Sequence, residues 1–303
     1  MMISQLPEIP PDLRAFMAEI GPQWVPSVHI KQMIERFSAV LKYSPKDGVT
    51  VRRDCPYGDH SRQMVDVYLP NDGQTQRAAV LYVHGGAFTD GNRNRSDEMF
   101  GNVLTYFARH GIVGINVGYR LAGDAPYPGG TEDIAAAVKW ARDHAGEIGV
   151  DPTRIFLMGH SAGATHAGSY AYDKRLQPAG GPGIAGLIVI SGRMRAETSP
   201  ENPRAEKVVA YYGTSDAAKL NDLSPVSHVD SSSVPTFVAW AEYENPLIDV
   251  HCAELVFKLS AAKKRTPPVV WLRGHNHSSI VAHINTAEDT LGHAIRQFIE
   301  NPR

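Results

Sequence analysis

A serine stands between two glycines at Gly159-His160-Ser161-Ala162-Gly163, directly after the apolar run Ile155-Phe156-Leu157-Met158. A small-residue segment suited to a helix follows. A strand that turns tightly into a helix holds such a hydroxyl proud of a sheet, and the glycines let strand and helix approach closely. A serine hydroxyl is a poor nucleophile at neutral pH and needs a base to take its proton. Three further expected strand ends carry groups that could complete that chemistry.

The first is His84-Gly85-Gly86-Ala87-Phe88, after a run ending at Val83. Its glycines free backbone N–H groups to face a ligand. In acyl transfer such donors hold the negative oxygen of a tetrahedral intermediate, one typically contributing about 3–4 kcal/mol. The amide of Ala162, next after the serine, supplies another donor. The second is Ala241-Glu242-Tyr243-Glu244-Asn245-Pro246-Leu247-Ile248-Asp249, where three carboxylates compete to orient a base. Glu244 stands where strand should give way to loop and is preferred. Asp249 suits the cap of the following helix, and Glu242 a surface role. The third is Gly274-His275-Asn276-His277-Ser278-Ser279, with His277 as the expected general base and His275 as the fallback. A metal reading of His275, His277 and His283 lacks matching carboxylate or cysteine spacing, so no metal or organic cofactor is expected. The chain order Ser161, Glu244, His277 is the serine, acid, histidine order of α/β hydrolases.

The elements around these residues alternate. Near-continuous apolar runs at Ala78–Val83, Ile112–Val117, Ile155–Met158, Ile184–Ile190, Val234–Ala241 and Pro268–Leu272 suit parallel strands covered on both faces. Met64–Leu69 alternates, which predicts an outer strand with one wet face. Ile134, Ala137, Val138, Ala141, Ala145 and Ile148 mark a helix, with Thr131-Glu132-Asp133 as its cap and acidic first turn. Thr286 and Asp289 have the pattern of a capping box ahead of a final helix through Leu291, Ala294, Ile295 and Phe298. The expected fold class is therefore α/β, a mostly parallel central sheet with helices on both faces. Residues 1–45 read as two amphipathic helices, Leu13-Phe16-Met17-Ile20 and Ile30-Met33-Ile34-Phe37-Leu41, that serve the core or a helical cap over the site. Residues 46–303 form the catalytic domain. Within it, 192–233 is too long and polar for a simple connection. It is expected as a cap insertion with a short helix around Ala205–Tyr212. Gly85, Phe88 and Tyr211 are expected to border the substrate, with Trp24 and Tyr212 as further candidate walls.

With 303 residues, 30 basic against 32 acidic side chains and a net charge of −2, nothing in the composition points to nucleic acid or an anionic membrane. No apolar run approaches the ~20 residues of a bilayer span. Met1–Ile20 lacks the design of a signal peptide. Two cysteines, Cys55 and Cys252, cannot make a disulfide framework, and the expected setting is the cytoplasm.

From about Val65 onward the chain resembles the hormone-sensitive-lipase-like branch of the α/β hydrolases. The resemblance lies in His84–Phe88, Tyr119-Arg120-Leu121-Ala122, Tyr127-Pro128, Glu132-Asp133, Trp140, Asp151–Ile155, Gly159–Gly163 and Pro246–Asp249. It implies an esterase with an N-terminal helical cap, acting on small or medium acyl esters. Ser161 would be the nucleophile, the amides of Gly86, Ala87 and Ala162 would line the oxyanion hole, and Gly85 would shape the loop. Three positions depart from the family: Ala87 replaces a common third glycine, Asn245 stands where Asp is usual before Pro-Leu, and His277-Ser278-Ser279 replaces His-Gly-Phe. The Glu-Tyr-Glu-Asn-Pro and His-Ser-Ser-Ile stretches are similar to kynurenine-formamidase-like esterases, which favours Glu244 as the acid and keeps N-formyl amide cleavage open. Related esterases are often dimers, so a homodimer is a further implication.

The expected function is a serine carboxylesterase working through an acyl-enzyme on a small-molecule ester. The alternatives are an arylformamidase or other small-amide hydrolase, and a hydrolase-fold protein that binds a ligand without turning it over.

Overall fold

The computed structural model describes residues 5–303; residues 1–4 of the expected 1–45 segment lie outside them. The strands are β1 (Val49–Pro56), β2 (Met64–Pro70), β3 (Arg77–Val83), β4 (Val113–Val117), β5 (Val150–His160), β6 (Gly186–Ile190), β7 (Thr236–Tyr243) and β8 (Val269–Asn276). The helices are α1 (Pro11–Ile20), α2 (Pro26–Leu41), α3 (Gly101–Arg109), α4 (Gly129–Asp143), α5 (Ala162–Tyr172), α6 (Ala205–Tyr212), α7 (Ala217–Leu223), α8 (Ile248–Lys263), α9 (Ser279–Ala282) and α10 (Thr290–Glu300). One sheet runs β1-β2-β4-β3-β5-β6-β7-β8. β1 and β2 pair antiparallel with their neighbours, and β3 to β8 are mutually parallel. This is the α/β-hydrolase architecture.

Side chains of a strand alternate between faces, so a wholly apolar strand feeds two cores. In β3, Val80 and Tyr82 join a cluster with Met33, Phe37, Leu104, Phe107, Ile295 and Phe298. Ala79, Leu81 and Val83 join the opposite cluster with Ile134, Val138, Ala167 and Leu255. A third, smaller cluster sits around Phe88, Val208, Tyr211 and Tyr212.

Four local expectations are corrected. Met64–Leu69 is not an outer strand: β2 lies between β1 and β4, and β1, which no periodicity singled out, is the edge. Asp66 gave β2 its alternating look but is wholly buried. It accepts hydrogen bonds from Arg53 Nη1 (2.9 Å), the Asp54 amide (2.9 Å) and Asn94 Nδ2 (2.9 Å). A buried carboxylate so satisfied mimics a wet face in the sequence. The α4 helix starts at Gly129, so Thr131-Glu132-Asp133 lies inside it and makes no cap; Glu132 is in the first turn and Asp133 just beyond it. No capping box precedes α10, because the Thr286 hydroxyl donates to the His283 carbonyl instead (2.6 Å). Asp249 lies in the first turn of α8 but caps no amide. The helix expected at 205–212 is present as α6, and α7 beside it was not anticipated.

Among the described residues, no helix is long and apolar enough to cross a membrane.

Candidate active site

Ser161 occupies the turn between β5 and α5 at φ 56°, ψ −123°, a conformation that L-residues avoid. Its amide donates to the Ile190 carbonyl (3.0 Å), fixing the turn against the next strand. The flanking glycines are required by close approach. A Cβ on Gly159 would come within 2.4 Å of Ala164 Cα, and one on Gly163 within 2.2 Å of the Val83 carbonyl oxygen. A side chain at either position would lever α5 off the sheet. The N-terminus of α5 thus sits beside the Ser161 hydroxyl, its positive end near any charge that develops there.

The loop after β3 runs beside this turn. Gly86, Ala87 and Phe88 all have positive φ (155°, 49° and 69°). The turn is closed by the Asp90 amide donating to the Gly86 carbonyl (2.9 Å). Among the described residues, the amides of Gly86 and Ala87 have no hydrogen-bond partner. His84 braces the loop from below. Its ring stacks on Tyr119 (4.4 Å between centroids), and burial holds it neutral with a pKa of about 3.

Glu244 and His277 meet. His277 Nδ1 lies 2.5 Å from Glu244 Oε2, and both side chains are almost wholly buried. The second carboxylate oxygen accepts from the Ser191 hydroxyl (2.5 Å) and the Ala241 amide (2.8 Å). A carboxylate facing Nδ1 puts the proton on that nitrogen and leaves the Nε2 lone pair free. The backbone of His277 is tied twice: its amide donates to the Tyr243 carbonyl (3.0 Å), and His160 Nε2 donates to its carbonyl (2.9 Å). Burial, with His277 nearby, pushes the His160 pKa well below its ordinary value.

A cavity of about 290 Å³ collects these parts. Ser161, His277, Gly85, Gly86, Ala87, Phe88 and Ala162 all line it, while Glu244 stands behind His277. Among the described residues, no hydrogen bond joins the Ser161 hydroxyl to the imidazole. One wall is α2, through Pro26, Ile30 and Ile34; another is α6 with the segment before it, through Arg204, Lys207 and Val208.

Other expected residues lie elsewhere. Tyr211 is outside the lining: it stacks behind Phe88 (4.6 Å, 4° between planes), with its hydroxyl 3.1 Å from His166 Nδ1. Tyr212 packs behind Phe88 as well. Trp24 reaches the rim only indirectly, donating from Nε1 to Asn245 Oδ1 (2.8 Å). Asp249 is exposed and Glu242 accepts from the Gly274 amide (2.8 Å), so neither meets His277. His275 faces away from the cavity, with Nε2 2.9 Å from Glu288 Oε1. No group of three or more His, Cys, Asp or Glu among the described residues could hold a metal ion.

Two contributors escaped the sequence reading. Ser191 follows the apolar run of β6 just as Ser161 follows β5, and it too has positive φ (47°). That parallel was its only signal. Arg193, two residues on, enters the cavity lining with no motif to announce it.

Carboxylesterase NlhH of Mycobacterium tuberculosis is 28% identical over 240 residues, spanning 72% of each chain. Esterase LipI of the same species is 37% identical over 111 residues, which is 37% of this chain and only 33% of that protein. Among solved structures, an esterase of Pyrobaculum calidifontis superposes with a TM-score of 0.71 at 23% identity, covering 97% of this chain and 98% of its own. A bacterial heroin esterase gives 0.70 at 23% identity, covering 98% and 95%. At these identities the structures speak for the fold. The family described as BD-FAE matches residues 65–282, from the second strand to the helix after His277, and the chain belongs to that family of hormone-sensitive-lipase-like α/β hydrolases.

Proposed function

We propose that this protein is a serine carboxylesterase. The observation that carries the reading is the Glu244–His277 pair opening onto the same cavity as the Ser161 turn and the unpartnered amides of Gly86 and Ala87. Ser161 Oγ attacks the ester carbonyl while His277 Nε2 takes its proton; Glu244 holds the imidazole tautomer and stabilises the imidazolium. The negative oxygen is received by the amides of Gly86, Ala87 and Ala162. As the carbonyl re-forms, the alcohol leaves with the proton from His277, and the acyl group stays on Ser161. Water, activated by the same nitrogen, then releases the acid. The open Ser161–His277 contact is consistent with this course, since such hydrogen bonds often tighten only around substrate.

Helices α2 and α6 form the cap in this reading, and a cavity of about 290 Å³ supports small to medium acyl esters. Phe88 borders the acyl or alcohol group, with Tyr211 behind it. Cys55 and Cys252 are both free thiols, which supports a reducing, cytoplasmic setting.

The test is turnover of p-nitrophenyl acetate and butyrate against an N-formyl aryl amide, with Ser161→Ala as control. The esters are expected to be hydrolysed, and a fluorophosphonate probe to label the wild type only. Full turnover by Ser161→Ala would overturn the assignment. Preference for the formamide would move the reading to an arylformamidase, and failure of the probe to label would favour a non-catalytic binder.

A further inference from the structure

The cavity lining carries more positive charge than a protein of net charge −2 leads one to expect. Lys31, Arg95, Arg193, Arg204 and Lys207 line it, and Asp90 is the only carboxylate among the described residues that does so. Asp90 lies 3.8 Å from Arg95, and Lys31 lies 3.8 Å from Glu35, so those charges are partly answered. Of the other three, only Arg193 has a carboxylate partner among the described residues. Arg204 and Lys207 have no ion pair among the described residues. Arg193 is buried to 8% side-chain exposure, with Glu197 at 3.3 Å as its one carboxylate partner and the Pro246 carbonyl at 3.3 Å as a further acceptor.

A guanidinium has donors to spare beyond two long bonds, and burying a cation without full compensation is costly. Burial lowers the Arg193 pKa; Glu197 works against that shift, while Arg204 adds like-charge repulsion. This cluster lines a partly open cavity, where protein on several sides makes a charge of opposite sign felt more strongly than in bulk water. The fork of an arginine matches a carboxylate two bonds at a time.

We infer that the ester taken by this site carries a carboxylate, held by Arg193, Arg204 and Lys207 while the ester carbonyl is presented to Ser161. The inference rests on the esterase reading and names its substrate class. The anion contributes chiefly to binding, and so to KM, because its charge does not change during acyl transfer.

Matched esters test it. Monoethyl adipate against ethyl hexanoate places the charge on the acyl side; 4-acetoxybenzoate against 4-methylphenyl acetate places it on the alcohol side. In one pair the anionic ester is expected to exceed its neutral partner about tenfold or more in kcat/KM, the scale of one charge-assisted hydrogen bond. That ratio is expected to fall about tenfold in Arg204→Gln/Lys207→Gln, with the neutral ester as internal standard in the same preparation. Arg193→Lys should restore part of what Arg193→Gln loses. Neutral preference in both pairs, or an unchanged ratio in the double variant, overturns the inference while Ser161-dependent hydrolysis of neutral esters upholds the esterase reading. If none of the four esters is hydrolysed, the esterase reading itself fails.

Discussion

Glu244 holds His277 with one carboxylate oxygen and is itself held through the other by the Ser191 hydroxyl, 2.5 Å away. An acid fixed at both ends cannot rotate away from the imidazole, so its charge and its direction both count. Glu244→Gln keeps the shape but offers Nδ1 an amide, favouring the wrong tautomer. The expected loss in kcat is about 10³–10⁴, as for the acid of other serine triads. Asp249→Asn, on an exposed turn, is expected to stay within about twofold of wild type. Steady-state kinetics on a short-chain ester decide, and the opposite ranking would transfer the acid to Asp249.

The Ser161 backbone gives a second, independent expectation. With φ 56° and ψ −123°, the residue keeps a conformation that only glycine adopts freely. Ser161→Ala retains the Cβ and hence the strain; Ser161→Gly removes both. Neither should turn over ester, yet the glycine variant is expected to be more stable than the alanine variant by about 1 kcal/mol in urea denaturation. Equal stability would mean that the turn stores no strain.

Much of this site was legible because its parts lie at the ends of apolar runs. Ser161, His277 and the loop from His84 to Phe88 each follow a run that becomes a buried strand, and order along the chain then suggested their roles. Glu244 was separable from Asp249 by its place at the end of the β7 run and by the resemblance of the Glu-Tyr-Glu-Asn-Pro stretch. The structure adds the reason: a one-residue step past Tyr243 aims the carboxylate at both Ser191 and His277. What stayed hidden depends on partners distant in sequence. Arg53, Asn94 and Asp66 are far apart until β1, β2 and the loop before α3 meet, so Asp66 looked wet. Tyr211 looked like a pocket wall because nothing in its neighbourhood says that Phe88 will lie between it and the cavity.

Asp133 makes the same point and can be tested. It was read as the acidic first turn of a helix, but it is buried. It accepts from the Arg120 amide (2.7 Å), Arg120 Nε (2.9 Å) and Gln63 Nε2 (2.7 Å). Asp133 is buried while Arg120 keeps about 27% of its side chain exposed, so Asp133→Asn, which weakens these charge-assisted hydrogen bonds, is expected to cost about 1.5–3 kcal/mol of stability. Glu132, exposed and 3.9 Å from the same arginine, should cost under about 0.5 kcal/mol as Gln. Equal effects would show the burial to be energetically idle.

Acid should unfold this protein earlier than its carboxylates alone require. Burial lowers His84 and His166 to about 3 and pushes His160 well below its ordinary value. In the unfolded chain each takes a proton below about pH 6.5, whereas the native state resists until far lower. The unfolded state then binds more protons, so stability falls as pH drops through that window. The expected loss between pH 6.5 and 5 is about 1 kcal/mol per pH unit for each such histidine. Urea denaturation across that range measures it, and a flat profile would mean that these rings are already charged in the native state.

The N-terminal helices join two tasks within about two turns of α2. Phe37 and Met33 are wholly buried in the cluster under the sheet, while Ile30 and Ile34 line the cavity. Phe37→Ala removes core volume and is expected to cost about 3–5 kcal/mol of stability, like any large core truncation. Ile30→Ala, at a half-buried wall, should leave the denaturation midpoint nearly in place but widen the cavity, raising KM for short acyl chains relative to longer ones. An acyl-length series beside a urea titration separates the two. If removing the ring at 37 altered only the length preference, these helices would be a detachable lid; if trimming residue 30 changed only stability, they would be core alone.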